Sequence, residues 1–299
     1  MMTMLFHMFK FQSMNRENQM VKRIRPEAEC PDAEREYLND FEEDIEDVLL
    51  SLEERPKNLT QFNDALRSAT RADALGENDE LTIQYMQLAL ELGVAHFISA
   101  LELPEKFGVD YLGKRYAYAI KSSKVHTDPD AWLNVVYLAI ILRNQDALGV
   151  MGRISTEALR NANIKTDEAN YLYVDFIKGL FDKKVDVGEL LIAAMKATDY
   201  PGISKERTGY LLNIRVPLLS LYRCFLSNDQ AEFNEKLNEA VMLHKVFWAD
   251  NPKNYHDIDG WVSMDLLAVL SLAYDDKGWA PQIDSDYIPK WLVTGQYVQ

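Results

Sequence analysis

Residues 34–54, EREYLNDFEEDIEDVLLSLEE, hold ten Asp or Glu among twenty-one positions and one positive charge, Arg35. The apolar residues Tyr37, Leu38, Phe41, Ile45, Val48, Leu49 and Leu52 recur at spacings of three and four. That period places them on one buried stripe of an α-helix and leaves the acids on its other faces. Carboxylates three or four positions apart repel, so such a face weakens its own helix. The acids are either a solvated face or a surface that meets a basic partner. On the second reading, the partner-binding residues are Glu36, Asp40, Glu43, Asp44, Glu46 and Asp47.

The helical period extends through most of the chain. Glycine and proline are scarce, 13 and 10 in 299 residues, and they separate segments of helical length. Hardly any segment alternates apolar and polar residues as a strand does. Helices are expected over 33–54, 60–75, 79–101, 111–122, 144–154, 155–162, 166–181, 187–198, 204–226, 229–249 and 260–275. Another begins at Asp128-Pro129, a capping side chain followed by a proline whose missing N–H costs nothing in the first turn. Pro217 is expected to kink or split its helix, because it removes a backbone donor and crowds the preceding turn. Three turns resemble one another: AIILRNQDALGVM, KGLFDKKVDVGELLIAAM and RCFLSNDQAEFNEKL, each an apolar helix end, a short polar turn and a new amphipathic helix. They recur about every forty residues, which suits stacked helical hairpins. The fold class read from the sequence is therefore all-α: antiparallel hairpins forming a tetratricopeptide-like solenoid or an irregular helical bundle.

Composition bounds the rest. Hydrophobic residues make up 47% of the chain, with 15 Tyr and 12 Phe, so a folded protein is expected rather than a disordered one. Net charge is -15. Residues 1–26 oppose it, with Lys10, Arg16, Lys22, Arg23 and Arg25 against Glu17. An acidic body repels nucleic acid and anionic membranes, which are held through Lys and Arg, so neither is an expected partner. The opening MMTMLFHMFKFQSM has too short an apolar run, no leading basic region and no small-residue cleavage site for a secretory signal. Residues 1–30 are read as a disordered extension and 31–299 as one helical domain. Cys30 and Cys224 lie far apart without metal spacing, which points to a reducing compartment, and the cytoplasm is the expected location. Nothing in the sequence fixes an oligomeric state.

Enzyme motifs are mostly missing from the sequence. It holds no phosphate-binding glycine loop, no nucleophile elbow and no His-Glu-x-x-His. No cofactor or metal is expected. His96, in ELGVAHFISAL, reads as a satisfied helix residue. His256-Asp257 is the doublet that a helical metal-dependent phosphohydrolase would use with a further His upstream and Asp downstream. Its setting, NPKNYHDIDGW, is a loop. The late acid pairs Asp257/Asp259, Asp275/Asp276 and Asp284/Asp286 are read as turn and cap residues.

The most distinctive stretch is residues 260–293, GWVSMDLLAVLSLAYDDKGWAPQIDSDYIPKWLV. A helix follows an Asp-Gly-Trp turn, stops at Lys-Gly, and leads to a Ser-x-Tyr-Ile-Pro segment with a short apolar tail. Gly260, Trp261, Ser285, Tyr287, Ile288 and Pro289 carry a resemblance to the bacterial immunity protein family numbered forty-nine. The immunity proteins that neutralise PoNe-type DNase toxins end similarly. The resemblance implies a non-enzymatic inhibitor that binds a cognate toxin and blocks its active site. It implies for the acidic helix a toxin with a basic site for nucleic acid or nucleotides. A helical-repeat adaptor of other purpose and the His256-Asp257 phosphohydrolase are the alternatives. The structural role open to Ser285–Pro289 is a turn that packs Tyr287 and Trp291 under the last helix.

Overall fold

The acidic segment folds as the helix its period requires. In the computed structural model, which describes residues 20–22, 30–54, 59–104, 107–199, 205–249 and 251–297, α1 spans Pro31–Ser51. Pro31 opens it, and Asp32 and Glu34 place negative charge on the first turn, where the helix dipole favours it. Leu38, Ile45, Leu49 and Leu52 are buried, and Phe41 and Val48 lie at the margin. Tyr37 departs from the expected stripe and is 59% exposed, because it sits at the stripe's edge, where only the Arg71 side chain of α2 reaches its ring, at 4.9 Å.

Helices α2 (Thr60–Leu75) and α3 (Asp79–Ala100) pack as a hairpin, with α1 against α2. Next comes a departure from the expected helix over 111–122. Val109–Tyr111 (β1) and Lys114–Tyr116 (β2) form an antiparallel hairpin in which Val109 pairs with Tyr116. The cause is local. Leu112 and Gly113 both take positive φ, 49° and 74°, the two-residue turn that matches strand twist, while Val109 and Tyr111 point in and Asp110 out. An extended backbone then leads to α4 (Pro129–Ile141), where Asp128 Oδ1 accepts from the N–H groups of Asp130 at 3.1 Å and Ala131 at 3.2 Å.

The three similar turns share their chemistry. Asn144 caps α5 (Gln145–Arg153), Asp186 caps α8 (Val187–Ala197) and Asp229 caps α11 (Gln230–Trp248), each by accepting backbone N–H bonds. Between them lie α6 (Thr156–Arg160), α7 (Glu168–Gly179), α9 (Lys205–Tyr210) and α10 (Val216–Leu226). The break expected at Pro217 is a π turn, Leu211–Arg215, joining α9 to α10. The wider turn absorbs the donor that proline lacks.

A solenoid repeat touches only its neighbours. Here α12 (Met264–Lys277) packs on α4, more than a hundred residues back, and the single turn of 3-10 helix at Ile258–Gly260 packs on α2. The hairpins thus close on themselves as an irregular helical bundle. Arg143 fastens this closure, bonding Asp275 at 3.2 Å and the carbonyls of Leu292, at 2.8 Å, and Val293 in α13 (Lys290–Thr294). One hydrophobic core runs from Leu38 to Val293. Of the expected N-terminal extension, 1–19 and 23–29 lie outside the described residues. Val21 forms a parallel bridge with Ser285, its N–H donating to Asp284 O at 2.8 Å.

Candidate functional site

Apart from Asp32 in its first turn, the acids of α1 divide into two groups once their neighbours are in place. Glu34 accepts from Arg71 Nε at 2.8 Å, Glu42 from Tyr85 Oη at 2.7 Å, and Glu46 from Lys114 Nζ at 2.6 Å. The Lys114 bond and charge hold the Glu46 carboxyl below its ordinary range. Glu36, Asp40, Glu43, Asp44 and Asp47 are exposed and have no bonded partner among the described residues. At 3.6 residues per turn these five fall within about 100° of arc, opposite the buried stripe. Exposed Tyr37 and Leu50 flank them.

Beside that face runs a groove of 440 Å³ between α1 and α2. Asp40 and Asp44 line one wall and Gln61, Asp64, Arg67 and Arg71 the other. Both arginines are engaged, Arg71 by Glu34 and Arg67 by a two-pronged bond to Asp259 at 2.9 and 3.3 Å. Gln61 has no counterpart in the sequence reading, since a glutamine in a helical period carries no signal of its burial.

The C-terminal motif has a different setting. Gly260, Trp261, Ser285 and Tyr287 are buried, and Gly260 and Tyr287 meet at His244 of α11. His244 Nε2 lies 3.0 Å from Gly260 O, and its ring meets Tyr287 edge-on at 4.9 Å. The Ser263 N–H donates to Tyr287 O at 2.8 Å, tying the start of α12 to the motif. Ser285 Oγ donates to Val21 O at 3.0 Å and accepts from the Tyr287 N–H at 3.2 Å. A Cβ on Gly260 would stand 2.4 Å from Trp248 Cγ, so only glycine fits. Pro289 starts α13. Burial pushes His244 below the usual histidine pKa. These residues are positioned as a structural hub under α12.

A second cleft, 280 Å³, opens over α4, the π turn and α12. At its base Arg215 is 2% exposed, with its guanidinium 3.8 Å from the Tyr173 ring centre. It donates to Tyr137 Oη at 3.1 Å, Tyr210 Oη at 3.2 Å and Asn170 Oδ1 at 3.3 Å, and Asn170 Nδ2 donates to Asp130 at 2.9 Å. Asp130 is half exposed at the rim of this cleft, and partial desolvation by the surrounding protein raises its carboxyl. The sequence offered no hint of this network, whose members are spread from 130 to 215.

The chain matches the family described as Immunity protein 49 over residues 73–292. It belongs to that family. It is therefore an immunity protein of a toxin–immunity system. The match contains the whole motif from Gly260 to Pro289 and begins inside α2, so α1 and its acids precede the matched stretch. No curated protein matches the chain, and no solved structure matches it.

In this immunity protein the phosphohydrolase residues do not assemble. His256 and Asp257 are exposed, and Asp257 Oδ1 caps its own turn by accepting from the Asp259 N–H at 3.1 Å. Asp275 pairs with Arg143, Asp276 with Lys277 and Asp284 with Lys290. Among the described residues no three His, Cys, Asp or Glu are grouped so as to hold a metal ion. His96 Nε2 lies 3.0 Å from His126 O, and burial drives its pKa down to about 4, so the ring is neutral and donates from Nε2. No described helix is long and apolar enough to cross a membrane.

Proposed function

We propose that this immunity protein neutralises its cognate toxin without chemistry of its own, by laying the acidic face of α1 over a basic cleft that holds nucleic-acid or nucleotide phosphate in the toxin. The carrying observation is the division of α1's acids. Three are tied inward to the fold, while five stand together, exposed and without bonded partners. Such a face lowers the helix's own stability, and a cationic partner offsets that cost. A basic toxin cleft meets it with complementary potential, which speeds encounter and excludes the phosphate substrate from the same ground. Tyr37 and Leu50 supply apolar contact at its edges. The motif around His244 holds the scaffold and stays out of the interface.

Competition tests the occlusion. Toxin, immunity protein and a labelled oligonucleotide or nucleotide are mixed, and the immunity protein displaces the ligand in proportion to the complex formed. A stable ternary complex of all three would rule occlusion out. A toxin without a phosphate-binding site would remove the reason for the acidic face.

A further inference from the structure

We propose that residues 117–124, the extended segment between β2 and α4, are an open strand edge to which the toxin adds a strand of its own, one that alternates apolar and acidic residues. The partner rests on the toxin-binding reading above; the pairing rests on the backbone of this segment.

The odd-numbered residues are tied to the fold. The Ala119 N–H donates to Leu52 O at 3.1 Å, the Lys121 N–H to Ser99 Oγ at 2.9 Å and the Ser123 N–H to Ala100 O at 3.0 Å, while Ser99 Oγ donates to Ala119 O at 2.6 Å. A period of two is that of a strand, in which successive residues turn their N–H and C=O groups to opposite edges. The other edge therefore belongs to Tyr118, Ile120 and Ser122, and none of their backbone N–H or C=O groups has a partner among the described residues. Ile120 and Ser122 are exposed, so this edge faces solvent. The segment is thus paired on one side and open on the other, the arrangement to which an extended peptide adds by main-chain bonds.

The side chains give the chemistry of the added strand. Tyr116 and Tyr118 are buried and Ala117 is exposed. Ile120 continues the tyrosine face past the margin of the core and is 70% exposed, more than any other large apolar residue described except Leu112. An apolar side chain on the incoming strand covers it across the ladder. Lys121, on the opposite face, is exposed and has no carboxylate partner among the described residues, so Asp or Glu is the complement there. A second copy of this chain fits poorly, because pairing would crowd two Lys121 and two Lys124 onto one short ribbon, where like charges repel. The lysines guard the edge against like strands and admit one that brings carboxylates.

Two measurements test this on the full chain. In the first, isotope-labelled protein is titrated with the end-capped peptides Val-Glu-Val-Glu-Val and Val-Lys-Val-Lys-Val while the backbone amides of residues 117–124 are followed. The acidic peptide should shift the Ile120 and Ser122 amides saturably and slow their hydrogen exchange at least about tenfold, leaving the already bonded Ala119, Lys121 and Ser123 amides unchanged. That alternation marks strand pairing, and side-chain docking does not produce it. The basic peptide should bind about tenfold more weakly. Uniform protection, no protection, or equal responses to the two peptides overturns the proposal.

The second measurement uses the cognate toxin. Ser122→Pro removes one outward N–H and no bond of the fold, and proline favours an extended residue before it, so the thermal midpoint should hold. Dissociation of the toxin should speed up about tenfold with association unchanged. The alternating protection should also appear in the wild-type protein on binding toxin, a readout that needs no variant. Neutralising Glu36, Glu43 and Asp47 should instead slow association. Slower association in that variant, with unchanged dissociation in Ser122→Pro and no alternating protection, overturns the strand edge and leaves the acidic face standing. Alternating protection with unchanged association upholds the edge and overturns the acidic face. A free protein that is dimeric until Ser122→Pro makes it monomeric would assign the edge to a second copy and overturn the proposal.

Discussion

Replacing Glu36, Asp40, Glu43, Asp44 and Asp47 with Gln or Asn should make the protein more stable and a slower binder. These carboxylates form three i,i+4 pairs (Glu36 with Asp40, Asp40 with Asp44, Glu43 with Asp47) and two i,i+3 pairs (Asp40 with Glu43, Asp44 with Asp47). Each like-charge pair costs about 0.2–0.5 kcal/mol on a helix, so relieving five is worth about 1–2.5 kcal/mol at low salt. No ion pair is lost in exchange, because the inward bonds of α1 are made by Glu34, Glu42 and Glu46. Net charge rises from -15 by five units. Association with the toxin should fall about tenfold or more at 0.01 M salt, where screening extends to about 30 Å, and converge with wild type near 1 M. Urea unfolding at low salt and stopped-flow binding across a salt series give the two readouts. Unchanged or reduced stability would show that the five acids do not repel as a solvated stripe. Equal association rates at low salt would show that this face does not steer the toxin.

The scaffold carries further expectations. Leu267 is fully buried where α12 meets α4, and Leu267→Ala should cost about 3–5 kcal/mol through lost burial and an unfilled cavity; an unchanged urea midpoint would place α12 outside the cooperative core. Gly260→Ala should cost about 1–3 kcal/mol by driving Trp248 from the turn, visible in the midpoint and in tryptophan fluorescence. His96 adds a pH dependence. With its pKa near 4 when folded and near 6.5 when unfolded, the unfolded chain binds the extra proton between those values, so stability rises with pH there. Acidifying from 6.5 to 4 should remove about 3 kcal/mol, at 1.36 kcal/mol per unit, and the stability gap between wild type and His96→Gln should close by that amount; a constant gap would mean that the histidine is already charged in the fold. The purified protein should hydrolyse neither nucleotides nor phosphodiesters with Mg²⁺ or Mn²⁺, and activity abolished by His256→Ala would reverse that.

What the sequence determined by itself is whatever depends on residues a few positions apart. The stripe Leu38, Ile45, Leu49, Leu52 and the caps Asp128, Asn144, Asp186 and Asp229 act within one or two helical turns, and there the expected helices and observed ones agree to within a few residues. The hairpin at Val109–Tyr116 was not read from the sequence, where a helix was expected over 111–122, because three-residue strands are too short to stand out from a helical background. Tertiary structure alone decided which acids remain without partners. Glu34 finds Arg71 and Glu46 finds Lys114 only after the helices and the hairpin dock, 37 and 68 residues away in sequence. It also decided that the hairpins close into a bundle, that Gly260 and Tyr287 meet at His244, and that Arg215 is caged by tyrosines from three segments. Helical period and capping are set by backbone geometry over about four residues, whereas these pairings depend on how whole faces seat against one another, which no local pattern encodes.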